Sequence, residues 1–189
     1  MPDMEECPRA IVLVEGISDR IALDAVAEQR GRDLAAEGVS VVPIGGAQAI
    51  GRFLAEFGPA GRNLRLAGLC DAGEERWFRR ALERAGLGER LDRAAMERLG
   101  FYVCDENLEA ELIRALGPAG VEKVVEAEGD LETFRMFQRQ PAWRGHSIES
   151  QLRRWMHNGD RHLRYPPLLV AALAPGRFPR PLEGVLAHV

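Results

Sequence analysis

The alternation of short apolar runs with segments of helical periodicity constrains the fold of this chain more than any other feature. The run Ala10 to Val14 is continuous and of strand length, as in a parallel strand buried on both faces. The pattern then repeats, which predicts strands at 39–44, 64–70 and 101–104 and helices at 19–30, 47–57, 74–85 and 108–116. Ser18 is expected to cap the first helix. Since helix-sized crossovers join parallel strands, we expect an α/β fold with a mostly parallel four-stranded sheet flanked by helices.

The last third of the chain differs from the rest in charge and in pattern. Residues 134–189 hold nine arginines and three acids, a balance of +6. The rest of the chain therefore has a net charge of −10, which gives −4 for the whole chain. No further strand is convincing there, and the spacing of apolar residues is helical. We therefore predict two parts, an α/β domain at 1–129 and a basic α-helical C-terminal extension at 130–189.

The extension also contains half of the aromatic residues, interleaved with arginine. Arginine and aromatic side chains together are suited to phosphate contacts and base stacking in a nucleic-acid interface. Amphipathic helices with a solvated arginine face would give the same pattern, and the sequence leaves both interpretations open.

Several protein classes are excluded. Apolar runs such as 168–174 are far shorter than the roughly 20 residues of a membrane span, and no secretory signal is recognisable, so we expect a cytoplasmic protein without membrane association. The three cysteines, Cys7, Cys70 and Cys104, lack CxxC spacing, which argues against a disulfide framework and a zinc site. We expect them to be small buried apolar residues.

Acidic residues follow three of the predicted strands. Glu15 follows the first strand, Asp71 the third, and the pair 105–106 the fourth. The carboxyl ends of parallel strands meet at one edge of a sheet, where converging carboxylates repel one another unless a divalent cation neutralises them. An alternative for Asp19 and Glu74 is that each carboxylate only interacts favourably with the dipole at the start of a helix.

Three segments give the chain a family resemblance. LVEGISDRIAL, LAGLCDAGEE and DENLEAELIRAL resemble the Toprim domain, a metal-binding module of bacterial primases, type IA and type II topoisomerases and OLD-family nucleases. The second acid four residues after Glu15 resembles the OLD (overcoming lysogenization defect) type in particular. The resemblance covers Arg9 to Leu116 and implies a Rossmann-like Toprim fold with bound Mg²⁺ or Mn²⁺.

The resemblance also implies roles for individual residues. Glu15 and Asp71 would be catalytic and hold one metal ion, while Asp19 and either Glu109 or Glu111 would lie near a second. A basic residue near the carboxyl end, Arg161 or Arg164, would stabilise charge at the phosphate. The nucleic-acid contacts expected of the extension are assigned to Arg153, Arg154, Arg161 and Arg164.

Two departures from the family pattern bear on activity. The third-strand motif is DxD in the family, whereas Gly73 replaces the second aspartate here and Glu74 follows one residue late as a substitute metal ligand. No Walker A loop is present in the 189 residues, so we expect a free-standing Toprim domain whose ATPase partner would be a separate chain.

These observations predict metal-dependent hydrolysis of phosphodiester bonds in DNA, as in an OLD-like Toprim endonuclease. The alternative is a catalytically weak Toprim module that binds nucleic acid or a partner ATPase without cleaving. Nucleotidyl transfer of the primase kind is a further alternative, disfavoured because no zinc or helicase-binding module is recognisable. RNA as the substrate and a homodimer as the assembly remain open.

Overall fold

The computed structural model describes residues 8–189. Its strands are β1 (Ala10–Val14), β2 (Val39–Pro43), β3 (Arg65–Asp71) and β4 (Phe101–Cys104). Its α-helices are α1 (Ile17–Gln29), α2 (Ile50–Phe57), α3 (Glu75–Arg84), α4 (Arg93–Arg98), α5 (Leu108–Leu116), α6 (Pro118–Ala127), α7 (Leu131–Gln138), α8 (Ile148–Met156), α9 (Arg161–Ala172) and α10 (Arg180–His188). A 3₁₀ turn at Ala47–Ala49 precedes α2.

The four strands form one fully parallel sheet in the order β2–β1–β3–β4. In register, Val14 lies beside Pro43 on one side and Leu69 on the other, and Asp71 lies beside Cys104. All four strands therefore end at the same edge of the sheet. The predicted fold, a four-stranded parallel sheet flanked by helices with a helical C-terminal extension, is confirmed.

Each face of the sheet carries its own hydrophobic core. On one face, α2, α3 and α4 pack on residues such as Ile11 and Leu13. On the other face, α1, α5 and the helices of the extension pack on residues such as Val12 and Val14. The alternation of β1 side chains between the two cores explains why the run is apolar without interruption.

The aromatic residues of the extension lie inside the second of these cores. Phe134, Trp155 and Tyr165 are at most 2% exposed, and Trp155 packs edge-to-face against both of the others with ring centroids 5.4 Å apart. These three rings are therefore unavailable for base stacking, and their burial agrees with the interpretation of amphipathic helices packed on the sheet. The boundary between 129 and 130 stays a prediction, but the helices on its two sides share a core.

Two local predictions about helices need correction. Helix α1 begins at Ile17 with Gly16 as its N-cap, because the Asp19 carboxylate accepts a hydrogen bond from the Gly16 backbone N–H (2.8 Å). Ser18 therefore lies in the first turn and is not the cap. The sequence analysis also missed α4, whose cap is Asp92, which accepts a hydrogen bond from the Ala95 N–H (2.7 Å).

Cys70 and Cys104 are buried, one in each core, and are not disulfide-bonded, whereas Cys7 lies outside the described residues. Within residues 8–189, no helix combines the length and the apolar character needed to cross a membrane.

Candidate metal centre

Four carboxylates meet at the edge where the strands end. Glu15 directly follows β1 and Asp71 is the last residue of β3, while Asp19 and Glu109 lie in the first turns of α1 and α5. The Glu15 carboxylate accepts a hydrogen bond from the Asp71 backbone N–H (2.8 Å), which joins the ends of the two central strands. The sequence prediction that acids from separate strands come together is correct for these residues.

Burial and mutual repulsion raise the pKa of three of these carboxyls. The pKa of Asp71 is raised to about 8, first by desolvation and then by the charges of Glu15, Asp19 and Glu109. Desolvation likewise raises the pKa of Glu15 to about 7 and that of Asp19 to about 6, although hydrogen bonds from backbone N–H groups oppose both shifts. In the absence of a cation the cluster is therefore only partly ionised at neutral pH, because each further negative charge is disfavoured by burial and by the other carboxylates.

The structure distinguishes the two acids of α5. Glu109 is 8% exposed and close enough to raise the pKa of both Asp19 and Asp71. Glu111 is turned away, because its carboxylate accepts hydrogen bonds from the Asp105 N–H (2.7 Å) and the Arg114 guanidinium (2.9 Å). Glu109 is thus the member of the pair that faces the crevice, and Glu111 holds the loop after β4.

The turn after β3 is where the sequence departs from the DxD pattern. The Glu74 N–H donates to the Asp71 carbonyl (2.9 Å), and the charge of Glu74 contributes to the raised pKa of Glu15. Glu74 therefore borders the crevice at the start of α3. A Cβ atom added at Gly73 would meet no heavy atom within 4 Å, so this position is open to solvent.

The donor set suits a hard divalent cation, with one restriction. Carboxylate oxygens are the ligands that Mg²⁺ prefers, and a cation would offset the repulsion within the cluster. Among residues 8–189, however, no group of three His, Cys, Asp or Glu side chains is arranged to coordinate a single ion. Mg²⁺ does not require such a group, because it is commonly held by one or two carboxylates when water and phosphate supply the other oxygens.

The arginines predicted at the site lie in the extension with partners of their own. Arg164 forms an ion pair with Asp130, which also accepts a hydrogen bond from the Tyr165 hydroxyl (2.8 Å). The Arg161 guanidinium stacks over the Trp155 ring, 4.3 Å from its centroid. In the described chain, neither arginine forms an ion pair with a crevice acid, and their catalytic role stays a prediction.

The other two predicted nucleic-acid contacts differ from each other. Arg153 forms an ion pair with Glu106, in the loop between β4 and α5, and so brings α8 to the rim of the crevice. Arg154 is exposed on the same helix.

One cation at the crevice was missed by the sequence analysis. Arg93, the first residue of α4, donates to Glu75 at the start of α3 (2.7 Å) and lies 4.0 Å from Asp105. It therefore lies between the loops that follow β3 and β4. Asp92 at the cap position followed by Met96 was the available signal in the segment between α3 and β4, for which no element was predicted.

Comparison with known proteins gives a matching family for the first part of the chain. Residues 8–66 match the TOPRIM domain described as overcoming lysogenization defect protein-like. The matched segment includes Glu15 and Asp19. The resemblance predicted from the sequence is confirmed over these residues. No curated protein matches the chain.

Solved structures extend the likeness to nearly the whole chain. The C-terminal region of the Xanthomonas campestris pv. campestris OLD protein has 24% sequence identity and a TM-score of 0.74, with 96% of this chain and 92% of that one covered. The C-terminal region of the Burkholderia pseudomallei OLD protein has 24% identity and a TM-score of 0.73, with 96% of both chains covered. The extension is thus included in the shared fold.

Proposed function

We propose that this protein is a Mg²⁺- or Mn²⁺-dependent nuclease that hydrolyses phosphodiester bonds in DNA. The observation that carries the proposal is the convergence of Glu15, Asp19, Asp71 and Glu109 at the carboxyl edge of the sheet, with three raised pKa values. The match to an OLD-like TOPRIM domain supports a module of the nuclease type.

Glu15 and Asp71 are the proposed ligands of one ion, since a backbone hydrogen bond already joins them. Asp19 and Glu109, whose charges help to raise the pKa of Asp71, are the proposed ligands near a second. Divalent ions bound there supply activation of water and neutralisation of the leaving oxygen. The carboxylates alone would repel a phosphodiester, so metal loading and substrate binding depend on each other.

Cleavage of supercoiled plasmid tests the proposal directly. The purified protein is incubated with Mg²⁺, Mn²⁺, Ca²⁺ or EDTA, together with the variants Glu15→Gln and Asp71→Asn. We expect nicking or linearisation with Mg²⁺ or Mn²⁺ and a loss of at least about 100-fold in each variant, since the removal of one charge-stabilising group commonly costs that much.

Glu28→Gln is the matched control, because Glu28 is an exposed acid near the opposite end of α1. It should cleave as the wild type does. Cleavage that survives both crevice substitutions would overturn the assignment of the site.

A second candidate function is supported by two observations. Gly73 lacks the carboxylate of the family's DxD motif, and no three acidic side chains in residues 8–189 coordinate a single ion. A catalytically weak module that binds DNA or a partner ATPase would have these features. DNA retardation on a gel without cleavage under any metal would favour this function.

A further inference from the structure

Helix α3 presents a row of arginines that have no acidic partner. Arg76, Arg80 and Arg84 are spaced four residues apart, so they lie along one side of the helix at intervals of about 6 Å. All three are exposed. Within residues 8–189, none of them has a carboxylate within 4.0 Å.

The acids of α3 are engaged elsewhere. Glu75 forms ion pairs with Arg93 (2.7 Å) and Arg79 (4.0 Å). Glu83 accepts a hydrogen bond from the Leu91 N–H (2.9 Å). The neighbouring helix α2 carries one exposed acid, Glu56, and one exposed arginine, Arg52, so the row on α3 is not neutralised from that side.

A groove runs beside the arginine row, between α2 and α3. Its volume is about 330 Å³, its floor includes Ile50 and Leu54, and Trp77 forms part of its wall. Arg80 and Arg84 line it, and Arg76 stacks over the Trp77 ring at 5.1 Å from the centroid. Cationic side chains beside a half-exposed aromatic ring are typical of surfaces that bind nucleic-acid strands.

The row begins at the crevice. Asp71 ends β3, the Glu74 N–H donates to its carbonyl (2.9 Å), and Arg76 follows two residues later in the first turn of α3. The helix then runs away from the carboxyl edge of the sheet, because it must return the chain towards the start of the next parallel strand. A nucleic-acid strand that extends from the acidic crevice along α3 would therefore meet the three arginines directly.

We propose that Arg76, Arg80 and Arg84 bind phosphates of the DNA that enters the crevice, and that α3, together with the groove beside it, is the main DNA-binding surface. This inference rests on the proposed function. It places the main contacts on α3 and not on the extension, because Arg153 and Arg164 form ion pairs with Glu106 and Asp130, whereas none of the three α3 arginines has an acidic partner within residues 8–189. Arg154 is exposed and stays a predicted contact of the extension. Contacts of this kind fix the position of a nucleic acid without reading its sequence.

The test is DNA binding by the full chain in the presence of Ca²⁺, measured by fluorescence anisotropy at several salt concentrations. The variant Arg76→Gln/Arg80→Gln/Arg84→Gln is compared with Arg98→Gln/Arg139→Gln/Arg177→Gln, which removes three exposed arginines elsewhere. Both variants change the net charge equally, so a general charge effect cancels in the comparison. Thermal unfolding verifies that each variant is folded.

We expect the α3 variant to weaken binding by about tenfold or more and to reduce the slope of log K against log salt by roughly 2 to 3, the value for three lost phosphate contacts. The control variant should retain the wild-type slope. Equal slopes for the two variants would overturn the inference. If the wild type binds DNA and the α3 variant does not, the inference stands even where no cleavage is found, whereas a wild type that binds no DNA contradicts the proposed function itself.

Discussion

The crevice carboxylates combine two properties that ordinary surface acids lack, burial and mutual repulsion. Asp71 shows this most strongly, since its pKa of about 8 places its protonation equilibrium in the working range of most enzymes. A divalent cation would compete with protons for the same oxygens. The occupancy of the site should therefore rise with pH through the interval from about 6 to 8 defined by the three carboxyls.

The same shifts predict how the stability of the metal-free protein depends on pH. Because the pKa values of Glu15, Asp19 and Asp71 are higher in the folded state than in the unfolded chain, the folded state holds more protons above pH 4. Their contribution is fully present at low pH and is lost as pH rises through about 6 to 8. Urea unfolding in EDTA from pH 5 to 8.5 should show a decline that is shallower in Asp71→Asn. Parallel profiles for wild type and variant would contradict the raised pKa of Asp71.

Gly73 offers a gain-of-function test. The open space around its Cβ position should accept Gly73→Asp without a clash, and the new carboxylate would restore the family's DxD spacing. We expect tighter Mn²⁺ binding and faster plasmid cleavage than in the wild type. Gly73→Asn is the matched control, because it adds nearly the same volume without the charge. If both variants bind Mn²⁺ like the wild type, the missing carboxylate at position 73 does not limit metal binding.

At the scale of elements, α5 positions the acid that completes the crevice. Asn107 caps this helix by accepting a hydrogen bond from the Ala110 N–H (3.0 Å), and Glu109 lies in the turn that the cap fixes. Loss of such a cap costs about 1 kcal/mol. The position of Glu109 therefore depends on a side chain that forms no hydrogen bond with the crevice acids in the described chain.

Asn107→Ala should consequently lower the free energy of unfolding by about 1 kcal/mol and weaken Mn²⁺ binding as well. Ser147→Ala removes the corresponding cap of α8, where Ser147 accepts from the Ser150 N–H (3.3 Å), and should affect stability alone. Urea unfolding and calorimetric Mn²⁺ titration measure the two effects. Unchanged Mn²⁺ affinity in Asn107→Ala would show that the cap does not contribute to metal binding.

The elements also show why some of the fold was predictable and some was not. The strands were predicted within a residue or so at each end, because runs such as Ala10–Val14 are buried on both faces and have no polar positions. Helix α4 was missed because its six residues are too short for a periodic pattern. The sequence could not show that Glu109, and not Glu111, faces the crevice. Glu111 is turned away because its carboxylate accepts hydrogen bonds from the Asp105 N–H and the Arg114 guanidinium.

At the scale of the whole molecule, the extension completes a core that begins in the sheet. Helix α9 packs along α1, and Gln29 of α1 donates a hydrogen bond to the Val170 carbonyl (2.9 Å). Phe134 and Trp155 belong to the same cluster as Val12 and Val14. The charge difference along the sequence predicted a boundary near residue 130, but arginine and aromatic content alone could not reveal that Phe134, Trp155 and Tyr165 face inward.

Removal of residues 130–189 should therefore prevent cooperative folding, because it leaves the apolar sides of α1 and α5 uncovered. Trp155→Ala in the full chain should lower the free energy of unfolding by about 3 to 5 kcal/mol, the usual cost of truncating a buried aromatic ring. Urea unfolding followed by circular dichroism measures both. A fragment of residues 1–129 that unfolds cooperatively with wild-type stability would show that the sheet domain is independent.

The measurement that tests the central claim most directly is titration of Mn²⁺ into the metal-free protein, followed by electron paramagnetic resonance of the free ion at pH 8. We predict saturable binding in the wild type and in Glu28→Gln, and a loss of at least about tenfold in affinity in Glu15→Gln and Asp71→Asn, since mutation of a group that only orients a metal ligand already costs about that much. Binding of equal affinity in all four proteins, or none in the wild type, would contradict a metal centre at the carboxyl edge of the sheet.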